Sequence, residues 1–402
     1  MKRKKLFIVV NVDWFFLSHR LPIALGAQKQ GFEVTVLTQD TGRVKEIESY
    51  GIKVVNIPFE RSGTNIFKEL NVIKKLIKTF KNDKPDIIHN VAMKASIYGS
   101  IAAKFSKSGN VINAISGLGF IFSDGKRGFL KLILQNLMKF SFKQPNVSFI
   151  FQNPEDFELF KSYSFASDKN SITIKGSGID LDEFRYNQPM VNGKIVISLA
   201  ARMLKDKGIQ EFKEASEILK DEYFEKVSWL LIGPTDQDNP SNISRSKLEN
   251  MNEPGYFEWI GYQDNIADHY KKSDIVMLPS YREGLPKSLI EACAIGRPII
   301  TTTAPGCNEC VDEGYNGFKV PIKDSKSLAE KSRTLIENKE MRLEFGKNSR
   351  IKAEKEFSIE NVVEKTLGLY RELLGGGEPQ GTPKASSGLE KTPAQRAQRR
   401  DV

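Results

Sequence analysis

Two glutamates in the second half of the chain, Glu283 and Glu291, lie where their carboxylates can bind sugar hydroxyls. The segment Pro279-Ser-Tyr-Arg-Glu-Gly-Leu-Pro-Lys-Ser-Leu-Ile-Glu291 leads from a strand pattern, through a Gly/Pro turn, into a helix pattern. A helix that begins there has free backbone N–H groups that can bind phosphate. Glu283 lies in the turn and Glu291 about two turns later. The two carboxylates can therefore accept hydrogen bonds from two different sets of sugar or ribose hydroxyls.

Metal and redox chemistry find little support in the sequence. His19, His89 and His269 are too scattered for ligand spacing. The segment Cys307-Asn-Glu-Cys310 lacks the second pair that a zinc site needs, so a loop is the alternative to a redox motif. Two D-x-D tripeptides, Asp180-Leu-Asp182 and Asp236-Gln-Asp238, arise easily by chance. We expect no metal and no cofactor.

Strand and helix patterns alternate along the chain in two successive series. Six short apolar runs lie between Phe7 and Gln152, and six more lie between Ile195 and Val320. Such alternation predicts βαβ units and parallel sheets, and hence an α/β protein with two doubly wound, Rossmann-like domains. Ligands of such sheets bind at the carboxyl ends of the strands. A cleft between the two domains is therefore the expected site.

The expected domain organisation follows from turn-rich and polar segments. The 402 residues divide into an N-terminal domain (1–185), a C-terminal domain (186–358), a C-terminal helix (359–374) and a tail (375–402). The tail contains triple glycine and Gln/Arg-rich polar residues, so we expect it to be disordered. Three cysteines exclude a disulfide scaffold.

The net charge of +10 is unevenly distributed, with +11 over residues 1–190, −3 over residues 191–374 and +2 in the tail. This asymmetry indicates that the first half faces a polyanion, either a nucleic acid or an anionic membrane. Residues 124–143 combine many apolar residues with basic residues recurring at intervals of four. They predict an interfacial membrane helix, with a core helix as the alternative. The basic residues assigned to the membrane are Arg127, Lys131, Lys139 and Lys143. Since no run reaches the length of a membrane span, we expect a cytoplasmic chain that is peripheral on the membrane.

The Glu283–Glu291 segment resembles the E-x7-E motif of a large family of retaining glycosyltransferases with the GT-B fold, and the resemblance covers residues 5–374. Ala201-Arg-Met-Leu-Lys-Asp-Lys-Gly208 is similar to the family's GR…KG segment, with Ala201 in place of the usual glycine. The resemblance implies that Arg202 and Lys207 neutralise the donor diphosphate. It also implies that Glu283 contacts the donor sugar and Glu291 the ribose. The remaining implied donor contacts are Gly284, Leu285, Pro286 and, near the base, Tyr262.

The loops of the first domain supply further candidates for the acceptor side. Asp13 and Trp14 follow the first strand, at the place where the family has a loop facing donor and acceptor. His19 and Arg20 are candidates to hold a phosphate or an acceptor hydroxyl; for His19, a helix cap or a core position is the alternative. Ser116 and Gly117 stand where many relatives carry a histidine beside the donor sugar. A backbone or hydroxyl contact would replace that histidine here.

The implied reaction is the transfer of a sugar from a nucleotide diphosphate, with UDP-N-acetylgalactosamine or another UDP-N-acetylhexosamine first, to a polyprenyl-diphosphate-linked saccharide. The resemblance is to bacterial enzymes of surface polysaccharide and glycan synthesis. The expected partners are the nucleotide sugar, the lipid-linked acceptor and an anionic membrane, with no nucleic acid. One alternative is a nucleotide-sugar 2-epimerase of the same fold, and a non-enzymatic polyanion-binding protein is the other.

Overall fold

The computed structural model describes residues 3–59, 66–116, 128–188, 193–237 and 239–375. Within these ranges the chain forms two parallel sheets, one from each half of the sequence. Gly117, Arg127, Asp238 and residues 376–402 of the expected tail lie outside the described residues, as does the side chain of Lys131.

The first sheet has the strand order β3-β2-β1-β4-β5-β6-β7. Its strands are β1 (Lys5–Val12), β2 (Glu33–Gln39), β3 (Lys53–Asn56), β4 (Ile87–Val91), β5 (Asn110–Ile115), β6 (Val147–Phe151) and β7 (Ser171–Thr173). Strands β4 and β6 are buried along their whole length, as expected for parallel strands covered on both faces. The strand order reverses between β1 and β4, which is where such sheets open a crevice for ligands.

Helices cover both faces of this sheet. They are α1 (Asp13–His19), α2 (Leu21–Lys29), α3 (Val44–Ser49), α4 (Ile66–Asp83), α5 (Met93–Ser106), α6 (Gly128–Phe142) and α7 (Pro154–Ser162). Helices α4 and α5 pack on one face, where Leu76 and Phe80 of α4 share a core with Phe7. Helix α2 packs on the other face, where Ile23 shares a core with Ile8.

The second sheet repeats the arrangement in the order β10-β9-β8-β11-β12-β13. Its strands are β8 (Ile195–Ala200), β9 (Val227–Ile232), β10 (Phe257–Trp259), β11 (Ile275–Leu278), β12 (Ile299–Thr302) and β13 (Gly317–Val320). Its helices are α8 (Ile209–Tyr223), α9 (Arg245–Glu249), α10 (Ile266–Lys272), α11 (Lys287–Ile295), α12 (Ser325–Glu337) and α13 (Lys339–Lys352). The two doubly wound sheets expected from the sequence are present.

The chain crosses between the domains twice, and the two crossings are hydrogen-bonded to each other. The backbone N–H of Ile179 donates to Phe357 O at 2.8 Å, and that of Ile359 donates to Ile179 O at 3.1 Å. Ile179 and Phe184 already pack in the core of the second domain, so the first crossing precedes the expected boundary at residue 185. The paired crossings form a compact joint between the two domains.

The C-terminal helix α14 (Ile359–Leu373) returns to the first domain, although the second sheet precedes it in sequence. Val362, Leu367 and Tyr370 are buried in the same core as the first-sheet residue Ile8. The Tyr370 hydroxyl lies 2.6 Å from Nδ1 of His89 on β4. The helix expected as a separate final unit is therefore part of the first domain.

Replacing Leu367 with alanine should destabilise the first domain by about 2–5 kcal/mol, because it removes a fully enclosed side chain and leaves a cavity. Native-state hydrogen exchange is the measurement, since it reports each domain separately. Amide protection should fall in β1 and β4 and stay unchanged in β8 and β11. The matched control is Lys365→Ala, on the exposed face of α14. Equal loss of protection in both sheets would contradict this packing of α14.

Candidate active site

The carboxyl ends of both sheets face the same cleft, and their loops touch across it. Gly284, after β11, approaches the backbone of Ser116, after β5: a Cβ at Gly284 would lie 2.7 Å from Ser116 O. Asn153 Nδ2, after β6, donates to Gly284 O at 2.8 Å. Leu285 packs against Gly176, after β7, where a Cβ would be 2.8 Å from a Leu285 methyl. Ser116 therefore contacts the donor-side turn through its backbone.

Lys207 and Glu283 are ion-paired, with Lys207 Nζ donating to Glu283 Oε1. Lys207 ends a short 3₁₀ turn, and Gly208 follows with φ of +73° and its α-carbon against the backbone of Pro279. That approach brings the loop after β8 against the loop after β11. Both side chains are about 85% buried, at 14% and 15% exposure. The resemblance implied that Lys207 contacts the donor diphosphate and Glu283 the donor sugar. In the structure the two side chains form one ion pair.

Arg202 lies at the more open side of the cleft and pairs with Asp236 at 2.5 Å. Its side chain is 44% exposed, so the guanidinium keeps access to solvent. Asp236, the first acid of the D-x-D tripeptide, is thus ion-paired with Arg202. Its backbone N–H donates to Asn242 Oδ1 at 2.8 Å, which stabilises the loop. Across the described ranges, no group of three His, Cys, Asp or Glu side chains is arranged to hold a metal ion.

Glu291 is buried on the inner side of α11, as its apolar neighbours predict. Burial raises its pKa to about 7, although Lys287, one turn earlier with Nζ 3.7 Å from Glu291 Oε1, opposes the shift. Glu183 adds a smaller raising effect. A carboxylate held at this cost gains from hydroxyl donors, because each hydrogen bond to the charged form offsets its lost solvation.

His19 ends α1 and is half-buried. Its ring stacks on Phe15 at 4.2 Å, and Nδ1 lies 2.6 Å from Ser18 Oγ. Burial lowers its pKa to about 3, assisted by the charges of Lys287 and Arg20. Because Lys287 begins α11, this imidazole lies near the start of α11, and with its lowered pKa it is neutral at physiological pH. It can therefore form hydrogen bonds but not an ionic contact.

Arg20 does not lie where the sequence-based expectation of an acceptor contact would require it. It is 4% exposed, donates through Nη1 to His19 O at 3.1 Å, and lines a small internal cavity with His89, Gln152 and Thr366. Burial lowers its pKa to about 10. The cavity, of about 10 Å³, is of the size of one water molecule. Arg20 thus lies in the interior beneath the cleft, not in its open part.

Asp13 is fully buried, and its carboxylate is occupied by backbone groups. It accepts from the N–H groups of Trp14 and Thr41 at 2.7 Å and of Arg43 at 3.0 Å. The Thr41 hydroxyl also donates to Asp13 Oδ1, and against the effect of burial this bond and the backbone hydrogen bonds lower the pKa of Asp13. Asp13 therefore holds the loop after β2 rather than facing an acceptor. Trp14 is 41% exposed at the rim of the first domain.

Tyr262 is 67% exposed and borders an open cavity of about 500 Å³ in the second domain. Pro234, Trp259 and Gly261 also line it. The pKa of Tyr262 is raised by burial and by Asp264, and Arg43 of the first domain opposes this. Leu285 and Pro286 lead from the Gly284 turn into α11, so the expected donor segment is continuous.

Two further predicted features are the Cys307–Cys310 segment and the lysines of α6. Cys307 and Cys310 are buried, free thiols, and burial raises the pKa of Cys307 to about 12. This favours the loop interpretation over a redox motif. Lys139 and Lys143 are exposed on α6 and just after it.

Sequence reasoning missed three residues that join the domains at the site. Asn153 caps α7 by accepting from the Asp156 N–H at 2.8 Å, and Asp156 is ion-paired with Arg282 of the second domain. The Asn153-Pro154-Glu155-Asp156 segment carries a helix-start pattern that predicts the cap. Nothing in it indicates a partner 126 residues away.

Two family models match the chain, one in each domain. Residues 181–352 match "Glycosyl transferases group 1", and residues 5–153 match "Glycosyl transferase 4-like". The chain is 30% identical over 381 residues to the N,N'-diacetylbacillosaminyl-diphospho-undecaprenol alpha-1,3-N-acetylgalactosaminyltransferase of Campylobacter jejuni, covering 89% of this chain and 98% of that protein. It is 24% identical over 354 residues to the UDP-Gal:alpha-D-GlcNAc-diphosphoundecaprenol alpha-1,3-galactosyltransferase of Escherichia coli, covering 85% and 90%.

A solved structure shows the same architecture. A glycosyltransferase from Rickettsia africae superposes with a TM-score of 0.74 at 18% identity, covering 94% of this chain and all of that one. At this identity the likeness supports the fold alone. The relatives confirm the glycosyltransferase interpretation, and nothing in them supports a nucleotide-sugar 2-epimerase. With both domains matched, the chain belongs to the glycosyl transferases group 1 family, and it is a glycosyltransferase with the GT-B fold.

Proposed function

We propose that the chain transfers N-acetylgalactosamine, or another N-acetylhexosamine, from UDP to a polyprenyl-diphosphate-linked saccharide, with retention of configuration and without a metal ion. The observation that carries the reaction class is the constellation of Arg202, Lys207, Glu283 and Glu291 at one interdomain cleft. The donor sugar and the lipid-linked acceptor are supported by the Campylobacter jejuni relative, whose name specifies both.

The donor diphosphate would bind beside Lys207, Arg202 and the start of α11. Lys207 already has Glu283 as its counter-ion, so a diphosphate that reaches Lys207 also releases Glu283 to contact the sugar. Arg202 is exposed enough to exchange Asp236 for phosphate oxygens. These cations would stabilise charge as it develops on the leaving diphosphate, which is the contribution that usually dominates such reactions. They supply the positive charge that a metal provides in other transferases.

The acceptor would approach from the first domain, which carries the +11 charge over residues 1–190. Trp14 and the neutral His19 border the donor-side helix, so they are candidates to contact the acceptor saccharide. Among the charged groups of the described cleft, no general base is evident beside them. Transfer with retention would then pass the acceptor proton to the departing phosphate.

An exposed apolar and basic surface on the first domain supports a lipid-linked acceptor. Helices α4, α5 and α6 pack side by side and expose large apolar side chains together with lysines. The apolar residues are Ile66, Phe67 and Leu70 on α4, Phe105 on α5 and Phe140 on α6. The exposed lysines are Lys74, Lys75, Lys78, Lys81, Lys104, Lys107, Lys139 and Lys143. We name this set the apolar-basic face.

The apolar-basic face is wider than the single helix that the sequence predicted. Phe67 is 84% exposed, and Phe105 packs on Phe140 at 6.4 Å with Lys104 Nζ 4.0 Å from the Phe140 ring centre. Apolar side chains that enter the headgroup region and lysines that attract anionic lipids act together. No described helix is long and apolar enough to span a bilayer. We propose that the apolar-basic face binds the enzyme peripherally to the cytoplasmic face of the membrane, where it would meet the lipid-linked acceptor.

Mass spectrometry of a defined reaction tests the transfer. Purified protein, a short polyprenyl-diphosphate-linked N-acetylhexosamine, a panel of nucleotide sugars and a chelator should give a product heavier by one N-acetylhexosamine. Arg202→Ala and Glu291→Ala should lower the rate at least ~100-fold, the size expected for lost transition-state charge stabilisation and donor binding. Arg333→Ala, which removes a surface pair with Glu222 at 2.8 Å, is the control and should retain the rate. Product from the donor alone would contradict the proposal.

The donor KM should depend on pH through Glu291. Because its pKa is raised to about 7, the carboxylate that accepts ribose hydrogen bonds is lost as pH falls from 8 to 6. For a pKa of about 7 the ionised fraction falls about tenfold over that interval, and KM should rise by up to that factor. In Glu291→Gln the KM should be high and independent of pH. Steady-state kinetics with the intact UDP-sugar checks this, and a pH-independent wild-type KM would contradict it.

Flotation with lipid vesicles tests the apolar-basic face. The wild type should bind phosphatidylglycerol vesicles and not phosphatidylcholine vesicles, because the lysines need an anionic surface. Phe67→Ser and Lys78→Glu should each reduce binding several-fold. Lys347→Glu, on the second domain, is the charge-matched control and should bind as the wild type does. Equal binding to both lipid compositions would contradict the electrostatic part of the proposal.

A further inference from the structure

The N-terminus of α7 in the first domain holds the turn that carries Glu283 in the second domain. Asn153 Nδ2 donates to Gly284 O at 2.8 Å, immediately after Glu283. Arg282 Nη2 donates to Asp156 Oδ1, immediately before it. The first domain therefore forms hydrogen bonds to the residues on both sides of Glu283. Asn153, Asp156 and Arg282 are not among the expected donor contacts. Gly284 is one of them, but here it takes part through its backbone carbonyl.

The Asp156–Arg282 pair is buried on the side of the first domain. The Asp156 side chain is fully enclosed, whereas that of Arg282 is 29% exposed. Burial raises the pKa of Asp156, and Arg282 opposes the increase. Asn153 Nδ2 also donates to Asp156 Oδ2 at 3.2 Å, so the carboxylate is oriented toward the second domain. A buried carboxylate is costly without its cation, so this geometry belongs to the closed arrangement of the domains.

The second domain does not fix the Glu283 turn by its own packing on all sides. On one flank, the N–H groups of Tyr281 and Glu283 donate to Asp206 O at 2.9 Å and Pro305 O at 3.0 Å. On the other flank, the side chain of Arg282 and the carbonyl of Gly284 are directed into the first domain. Opening the cleft would remove the contacts of that second flank and leave the Glu283 turn held by the second domain alone, through these hydrogen bonds and the Lys207–Glu283 ion pair.

We propose that Asp156 and Arg282 form a positioning pair that couples domain closure to the orientation of Glu283 during glycosyl transfer. Neither residue touches the reacting atoms. The donor would bind through Arg202, Lys207 and Glu291 of the second domain whether or not the pair is formed. The alignment of Glu283 with the bound sugar, by contrast, requires the first domain in place. Loss of the pair should therefore act on kcat much more than on nucleotide affinity.

A double-mutant cycle with Asp156→Asn, Arg282→Gln and the double variant tests this coupling. Each single variant should lower kcat 10- to 100-fold, and the double variant should be no more than threefold below the slower single variant. The dissociation constant for UDP, measured by calorimetry, should stay within threefold of the wild type. Arg333→Gln, which breaks an arginine–glutamate pair inside the second domain, is the matched control and should leave kcat unchanged. Independent, multiplicative losses of kcat, or equal losses of kcat and UDP affinity, would overturn the proposal.

An interdomain distance measurement decides the same question without any substrate. Cys293, Cys307 and Cys310 are buried, so spin labels can be placed selectively on Lys81→Cys and Asp221→Cys, at exposed positions of the two domains. Arg282→Gln should broaden the distance distribution toward more open arrangements, and Arg333→Gln should not. An unchanged distribution in Arg282→Gln would overturn the proposal. The kinetic experiment rests on the proposed UDP-sugar reaction, whereas the distance measurement does not. If the proposed donor is wrong, the wild type will show no turnover, but Arg282→Gln will still broaden the distance distribution.

Discussion

The contact between the Gly284 turn and the first domain determines how the rest of the site is arranged. A Cβ at this position would lie 2.5 Å from Gln152 Oε1 and 2.7 Å from Ser116 O, so the domains close this tightly only because residue 284 has no side chain. The approach brings the start of α11 beneath the loops of the first sheet. His19 and Lys287, which lie 268 positions apart in sequence, come close enough that the lysine lowers the histidine pKa.

The joint behind the cleft depends on the path of the C-terminal segment. The π-helical turn Ala353–Phe357 and the bond between the two crossings bring α14 back to the first sheet. There Tyr370 contacts His89 on β4, and Asn110 Nδ2 donates to Leu373 O at 2.8 Å. The first domain is thus completed by the last helix, so β1 and α14, the first and last described elements, both belong to it. The domains are therefore connected by two chain segments that are hydrogen-bonded to each other.

The charges of the cleft are balanced in pairs across loops and domains. Lys207 pairs with Glu283, Arg202 with Asp236, and Arg282 with Asp156. Glu291 differs, because its nearest cation is 3.7 Å away and burial dominates its pKa. In the proposed reaction, a nucleotide sugar that carries both phosphates and hydroxyls would exchange with the first two pairs and donate hydrogen bonds to the last carboxylate. The cations proposed to bind the diphosphate are therefore paired with carboxylates before the donor binds.

The sequence by itself determined the two doubly wound domains, the family and the turn-and-helix segment that carries Glu283 and Glu291, because these depend on local patterns. Strand and helix periodicities repeat within each half of the chain, and the spacing of Glu283 and Glu291 is a property of one turn and one helix. Only the tertiary structure decided the pairing of Lys207 with Glu283, the interior position of Arg20 and the supporting role of Asp13. It also decided the return of α14 to the first domain. Each of these depends on which backbone groups and charges meet over long sequence separations, and hydrophobic periodicity carries no information about such partners.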